Sequence, residues 1–318
     1  MDFKKKVLVL GVNGQDGSYI AESQIALGNF VYGVGRQSLS RWVAPCDNFK
    51  YIELNLIDLK SLENLLNSTL PDLIFHFSAV HGPSGYDYES VWSDMHVVNM
   101  LTVNLILEHI RSKTPGVKMI YASSSKALSS NLQEISEDSP KTSNCLYTIT
   151  KNTAHDLMLY YRNKHGVDSS TVWLFNHESI RRPEGYFVHK ITDIIISSLQ
   201  DKRFYCDIGD LNFWCDWGDA KEYMHIISSS ISNVKHHDFL LSTGVTINAQ
   251  IHCKELFLAF NLNIEDHVKI YTDTDNFIKV KPPWRAKPEK LLTMCNTSPK
   301  NNFLDVCTEI IYYKLGAL

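Results

Sequence analysis

No stretch of this sequence comes near the ~18 consecutive apolar residues that a membrane-crossing helix needs. Lys4 to Lys6 do precede an apolar run, but Val7 to Leu10 is only four residues before Gly11. That is too short for the core of a secretory leader. Cysteine is sparse, with seven residues, an odd number, and no CxxC pair. This excludes a disulfide framework and a zinc ribbon, and it fits reduced thiols in a cytoplasmic protein. Cys206, Cys215, His252 and Cys253 lack ligand spacing, so no metal is expected. Positive charge is not in excess: the net charge of −4 argues against a nucleic-acid or acidic-membrane surface. The 15 glycines and 10 prolines form no linker, and no segment repeats. With 44% apolar and 21% charged residues in 318, the chain can build a full core as one large domain or two modest ones.

What is present begins with KVLVLGVNGQDGSYIAESQIALGNFVYGVGR. Val7 to Leu10 is a short apolar strand, Gly11, Gly14 and Gly17 follow in a GxxGxxG spacing, and a helix then runs to about Gly28. FVYGV supplies a second strand. Strand, glycine turn, helix and strand in about thirty residues form the βαβ context that a dinucleotide turn requires. The alternation continues. FKYIEL reads as a strand, LKSLENLLN as a helix capped by Asp58, and DLIFHFSA as a strand. WSDMHVVNMLTVNLILEHIRSK reads as one long helix and VKMIYASS as a strand. LYTITKNTAHDLMLYYRNKHG reads as a helix stopped by Gly166, and SSTVWLFN as a strand. The expected class is α/β, a Rossmann-like doubly wound parallel sheet. Residues 1–175 form the dinucleotide-binding domain, with part of 210–245 returning to it. Residues 176–318 mainly form a smaller lobe over the carboxyl edge of the sheet, with helices in HKITDIIISSLQ and CKELFLAFNLN and a proline-rich, basic KPPWRAKPEK.

The glycine turn lets backbone N–H groups approach a pyrophosphate at a helix N-terminus. No acidic residue ends the second strand, where one would bind the adenosine ribose. Arg36 stands there instead and favours NADP, with NAD still open. Tyr147 and Lys151 lie four apart on one helix face. A lysine ammonium beside a phenol is expected to lower the phenol pKa, so that tyrosinate accepts the proton from a substrate hydroxyl as hydride leaves the same carbon. Ser124, at a strand end, can bond the same oxygen.

GVNGQDGSYIAE (11–22), LYTITKNTAH (146–155), FNHESIRR (175–182), VHKIT (188–192), DWGDAKEYM (216–224), TGV (243–245) and PPWRAKPEKLL (282–292) span nearly the whole chain. Through them the sequence resembles the extended short-chain dehydrogenase/reductase family of nucleotide-sugar enzymes, most closely its GDP-mannose 4,6-dehydratase branch. The expected cofactor contacts are Gly11, Gly14, Gln15, Asp16, Gly17, Arg36, Asn55, Leu56, Ser78, Tyr147 and Lys151. The resemblance implies that Ser124, Tyr147 and Lys151 are catalytic. It implies that Ser124, Lys126, Asn176, Lys190, Arg285 and Glu289 meet a nucleotide sugar, GDP-linked by preference. Arg181 and Arg182 would help to join subunits into a homodimer or homotetramer. His81, Tyr86 and Trp284 are candidate pocket residues.

Two departures from the branch matter. Its elimination glutamate is Lys126 here, and an arginine before DWG is Cys215. Lysine can act as the elimination base only if burial or nearby cations lower its pKa by several units. The leading expectation is therefore an NAD(P)-dependent oxidoreductase acting at C4 of a GDP-linked hexose or heptose, of the 4-dehydrogenase or epimerase type, without dehydration. The alternatives are a 4,6-dehydratase with a relocated acid/base, for which Glu89 and Asp94 are candidates, and a non-catalytic nucleotide-sugar-binding subunit.

Overall fold

The computed structural model describes residues 4–83, 85–129, 131–271 and 284–317. Residues 281–283 of the proline-rich segment, and so the start of the 282–292 motif, lie outside these. The first half follows the expected alternation. β1 (Lys6–Leu10) leads through the glycine turn into α1 (Gln15–Ala26), then β2 (Phe30–Gly35) and β3 (Phe49–Glu53). The Asp58 side chain accepts the Ser61 N–H at 3.0 Å and starts α2 (Leu59–Thr69), and β4 (Leu73–His76) follows.

The helix expected over 92–113 is divided. α3 (Trp92–His96) passes through a π turn (Val97–Leu101) into α4 (Thr102–Lys113). Asn99 sits in that turn. Its Oδ1 accepts the Val80 N–H at 2.8 Å, and its carbonyl accepts the Tyr121 hydroxyl at 3.0 Å. A side chain and a backbone carbonyl turned to these partners account for the extra residue in the turn.

β5 (Lys118–Ser124) and the short β6 (Glu134–Ile135) precede α5 (Leu146–His165). Gly166, at φ 67°, ends α5 in the left-handed region where glycine fits best. The strand expected from SSTVWLFN also divides, at Phe175. β7 (Ser169–Leu174) stays in the main sheet, while β8 (Asn176–Glu178) leaves it for a separate pairing.

Beyond it come α6 (Phe187–Gln200), β9 (Cys206–Ile208), β10 (Trp214–Cys215) and β11 (Trp217–Asp219), which pairs with β8. α7 (Ala220–Ser229) packs on α1, with Gln24 Nε2 donating to Ser228 Oγ at 2.7 Å. β12 (Phe239–Leu241), β13 (Ile247–Asn248), α8 (Ala249–Ala259) and β14 (Val268–Ile270) follow. β15 (Arg285–Ala286), α9 (Glu289–Cys295) and α10 (Phe303–Lys314) close the chain.

Seven strands make one parallel sheet in the order β12-β7-β5-β4-β1-β2-β3. Strand periodicity sorts its core. Val7 and Val9 of β1 face one layer with Ile20, Tyr223 and Met224, while Leu8 and Leu10 face the other with Leu62, Ile106 and Met158. A third core in the C-terminal part joins Ile191, Trp217, Phe257 and Phe303. Among the described residues no helix is long and apolar enough to cross a membrane, and no group of three His, Cys, Asp or Glu side chains is placed to hold a metal.

Candidate active site

At the carboxyl end of β1, Gly11 has φ +92°, and a Cβ there would lie 2.9 Å from Ser78 N. A Cβ on Gly17 would lie 2.2 Å from the Gly11 carbonyl oxygen. The turn is closed by Gly14 N–H donating to Gly11 O at 2.9 Å, and no side chain caps the first turn of α1. Its N–H groups are free for an anion, and the glycines keep the approach open. Asp16 lines the cleft beside this turn, and its Oδ1 accepts from His177 Nε2 at 3.0 Å. Burial pushes the Asp16 pKa up, but His177 and Arg182 outweigh it and hold it below the usual value. Gln15 is buried, donating to His177 O at 3.3 Å and accepting from Ser179 Oγ at 2.9 Å.

The other expected cofactor contacts surround the same edge. Arg36 is exposed just after β2. The loop that follows is fixed by Asn13, whose amide donates to Gln37 Oε1 and Leu39 O. Asn55 is exposed, with its Oδ1 accepting from Ile57 N–H at 3.2 Å. Leu56 packs into the core and offers a ligand only backbone.

Ser124 ends β5, and α5 brings Tyr147 and Lys151 against it. Lys151 is buried. Its ammonium donates to Ala122 O at 2.7 Å and lies 4.5 Å from the Tyr121 ring centroid and 5.7 Å from that of Tyr147. Burial lowers its pKa to about 7, against an opposing pull from Asp16. For Tyr147 the expectation fails. Burial raises the phenol pKa above its ordinary value, and the hydrogen bond with Ser124 and the charge of Arg182 offset only part of that. In this state the phenol is neutral.

These residues line one cleft of about 620 Å³. Ser124, Lys126, Tyr147, Lys151 and Asp16 share it with Asn176, Glu178, Arg182, Tyr186, Phe213 and Trp217. Lys126 is exposed, so the burial that a lysine base requires is absent. Glu178, by contrast, is buried beside Arg182, 3.2 Å away, and burial raises its pKa. Glu89 and Asp94, the candidates for a relocated acid/base group, are exposed on a 3-10 turn and on α3 and do not line the cleft.

Lys190 is exposed on α6 and is not part of the cleft lining. Arg285 lies in an adjoining hollow of about 680 Å³ with Leu132, Val245 and Trp284, and its guanidinium pairs with Glu134 at 2.8 Å. Trp284 packs 5.7 Å from Phe175, a residue of the cleft wall. Glu289 borders another hollow beside Lys287. Arg181 and Arg182 both turn inward within the chain. Arg181 pairs with Glu22 at 2.7 Å and lies over the Tyr19 ring, while Arg182 lies 3.8 Å from the Tyr186 ring centroid.

Two neighbours of the candidate pocket residues His81 and Tyr86, namely Tyr88 and Asn99, were not assigned from sequence. His81 stacks on Tyr147, with centroids 4.4 Å apart, and its Nδ1 bonds the Tyr88 hydroxyl at 2.7 Å. Tyr86 packs against Tyr88 and lies across Gly82. Asn99 ties the start of the His81 loop to α5 by donating to Thr150 Oγ1 at 3.3 Å. An asparagine in an otherwise apolar helical run was the available signal for the last. The Tyr88 contact had none.

The profile of GDP-mannose 4,6 dehydratase matches residues 8–300. The chain belongs to the GDP-mannose 4,6-dehydratase family. It is 30% identical over 258 residues to "GDP-mannose 4,6-dehydratase" of Vibrio cholerae serotype O1, covering 76% of this chain and 68% of that one. It is 26% identical over 317 residues to the Dictyostelium discoideum protein of that name, covering 93% and 82%. In fold it is similar to the Bordetella bronchiseptica enzyme WbmH, solved with NAD+, at TM-score 0.76 and 19% identity over 99% of this chain and 100% of that one. Members of this dehydratase family are enzymes of nucleotide-sugar chemistry, and this chain carries the matched region on its seven-stranded parallel sheet.

Proposed function

We propose that this chain is an NAD(P)-dependent oxidoreductase acting at C4 of a GDP-linked hexose or heptose, with Arg36 leaning towards NADP over NAD. The observation that carries the reading is the meeting of Ser124, Tyr147 and Lys151 in one cleft beside an open glycine turn. The uncapped α1 N-terminus and Gly11, Gly14 and Gly17 would hold the pyrophosphate of a nicotinamide dinucleotide, with Ser78, Asn55 and Leu56 along the same edge. Exposed Arg36 favours a 2′-phosphate there. Bound, that group supplies a hydride acceptor. Residues 1–175, with part of 210–245, would serve the dinucleotide, and 176–318 the nucleotide sugar.

Tyr147 first gives up its own phenol proton, for which neutral Lys151 on the same helix face is the acceptor, and the phenolate then takes the proton of the substrate hydroxyl while Ser124 holds the same oxygen. Arg182 is the nearby cation that favours the phenolate. Lys151, at a pKa of about 7, is poised to shed or gain a proton near neutrality. His81 covers one face of the Tyr147 ring and narrows the approach of water. Asn176, in the same cleft lining, would offer its amide to the substrate, with Lys190, Arg285 and Glu289 further out towards the nucleotide.

Two readings of the next step each have an observation behind them. An exposed cation at Lys126, where elimination needs a carboxyl, supports return of hydride without loss of water. The family match and the relatives' names support dehydration, and the buried Glu178 carboxyl in the same cleft is the group that would serve it. Product masses from GDP-mannose with NADP separate them: loss of one water means dehydration, and an unchanged or two-hydrogen-lighter sugar means oxidation or epimerisation alone. Tyr147→Phe is expected to cut turnover by roughly 10²–10⁴-fold. A variant as active as the parent would return the chain to a binding role. The second copy implied by a homodimer would cover the α3–α5 face, where Trp92, Leu101, Ile149 and Tyr160 are exposed.

A further inference from the structure

The charged side chains of the cleft are engaged, with one exception. Asp16 accepts from His177, Glu178 pairs with Arg182, Lys151 donates to Ala122 O, and Asp210 accepts the Asn212 N–H. Lys126 has no side-chain hydrogen bond or ion pair among the described residues. Its place is fixed even so. Its backbone N–H donates to Ser124 Oγ at 3.2 Å, so the lysine stem begins at the residue that, with Tyr147, grips the reacting oxygen. The field of its ammonium is felt inside the cleft. The His81 pKa is lowered to about 3, by burial first and then by Lys126, Arg182 and Lys151. Cations facing one imidazole repel each other; Arg182 has Glu178 beside it and Lys151 feels Asp16, which leaves Lys126 as the one without a carboxylate partner among the described residues. An anionic ligand would relieve that repulsion.

Resting on the nucleotide-sugar reading above, we propose that Lys126 is a specificity residue that binds an anionic oxygen group of the substrate close to the oxidised carbon. A four-carbon stem that starts beside Ser124 reaches a substituent one or two bonds from the carbon whose oxygen Ser124 holds. A carboxylate on the sugar ring meets that description, and the substrate class is then a nucleotide-linked sugar acid. The near phosphate of the diphosphate is the other source of the same chemistry. The anion takes no part in hydride transfer. It sets which sugars enter and in which orientation.

The test is calorimetric binding to NADP-loaded protein, carried out in the Tyr147→Phe background so that nothing turns over. GDP, GDP-mannose and GDP-mannuronate are the probes, and Lys126→Gln and Lys126→Glu are the variants. If the ring carboxylate is the anion, Lys126→Gln weakens GDP-mannuronate roughly 10-fold and leaves GDP-mannose within about 2-fold. If it is the diphosphate, all three probes weaken together. In either case Lys126→Glu weakens binding further, and added salt reduces wild-type affinity more than that of Lys126→Gln. Equal affinities in wild type and both variants overturn the proposal alone. Wild-type protein that binds none of the three overturns the nucleotide-sugar reading and the proposal with it.

Discussion

Lys151 sits in the fold at a thermodynamic disadvantage. Its ammonium is buried with one carbonyl and two aromatic rings for company, and its pKa falls from 10.5 to about 7. A folded-state value below the unfolded one means that the unfolded chain binds the proton more tightly between those two limits. Stability therefore rises with pH across that window, and the full cost of burial is present below about pH 7. Lys151→Met is expected to abolish turnover yet stabilise the chain by roughly 1–4 kcal/mol at pH 6, with the gain shrinking above pH 7. Thermal melts at pH 6 and pH 9 check both parts. Tyr147 teaches a related lesson. The i,i+4 spacing correctly puts it beside Lys151, but the direction of its pKa depends on how much water the fold removes, which spacing does not encode.

Among elements, the glycine turn and six of the seven strands of the sheet were legible because apolar period, turn residues and caps agree there, whereas β12 was not read as a strand. Asp58 and Gly166 act where the residue types place them. The two divided elements were not legible. Nothing local in WSDMHVVNMLTVNLILEHIRSK marks the π turn, because its cause is Asn99 reaching Val80 and Tyr121 in other parts of the chain. The break at Phe175 likewise depends on β11 offering a new pairing partner. The edge strand β12 is held by a similar distant contact. Asp238 pairs with Arg162 at 2.5 Å, bonds His155 at 3.0 Å and accepts the Thr171 N–H at 2.8 Å. Burial raises its pKa, but these partners bring it well below 3.8. Its contribution is therefore complete above pH 3.8 and is lost as pH falls through the folded-state value. Asp238→Ala should cost roughly 3–5 kcal/mol at neutral pH. Urea titrations should show that deficit closing at strongly acidic pH.

At the scale of the molecule, the helical layer on one side of the sheet leaves apolar surface in water. Trp92 is 58% exposed and Tyr160 51%, with Leu101 and Ile149 on the same layer. If a second copy covers this face, a Leu101→Asp, Tyr160→Asp double variant sediments at half the mass of the parent and keeps its dinucleotide affinity. A parent that sediments as a single chain rejects that arrangement. Arg181 and Arg182 show what the whole chain adds to the reading of its parts. The resemblance assigned both to subunit contacts, whereas within this chain each already has a carboxylate partner.

Those two arginines are joined by one peptide bond but face different parts of the proposed site. Arg181 braces α1 through Glu22 and Ser18, behind the glycine turn, and Arg182 reaches the neighbourhood of Tyr147. A dinucleotide bound at the start of α1 would therefore also bear on Arg182, a cation whose charge reaches the phenol, before any sugar arrives. The expected consequence is a compulsory order of events: cofactor first, sugar second, and release in reverse.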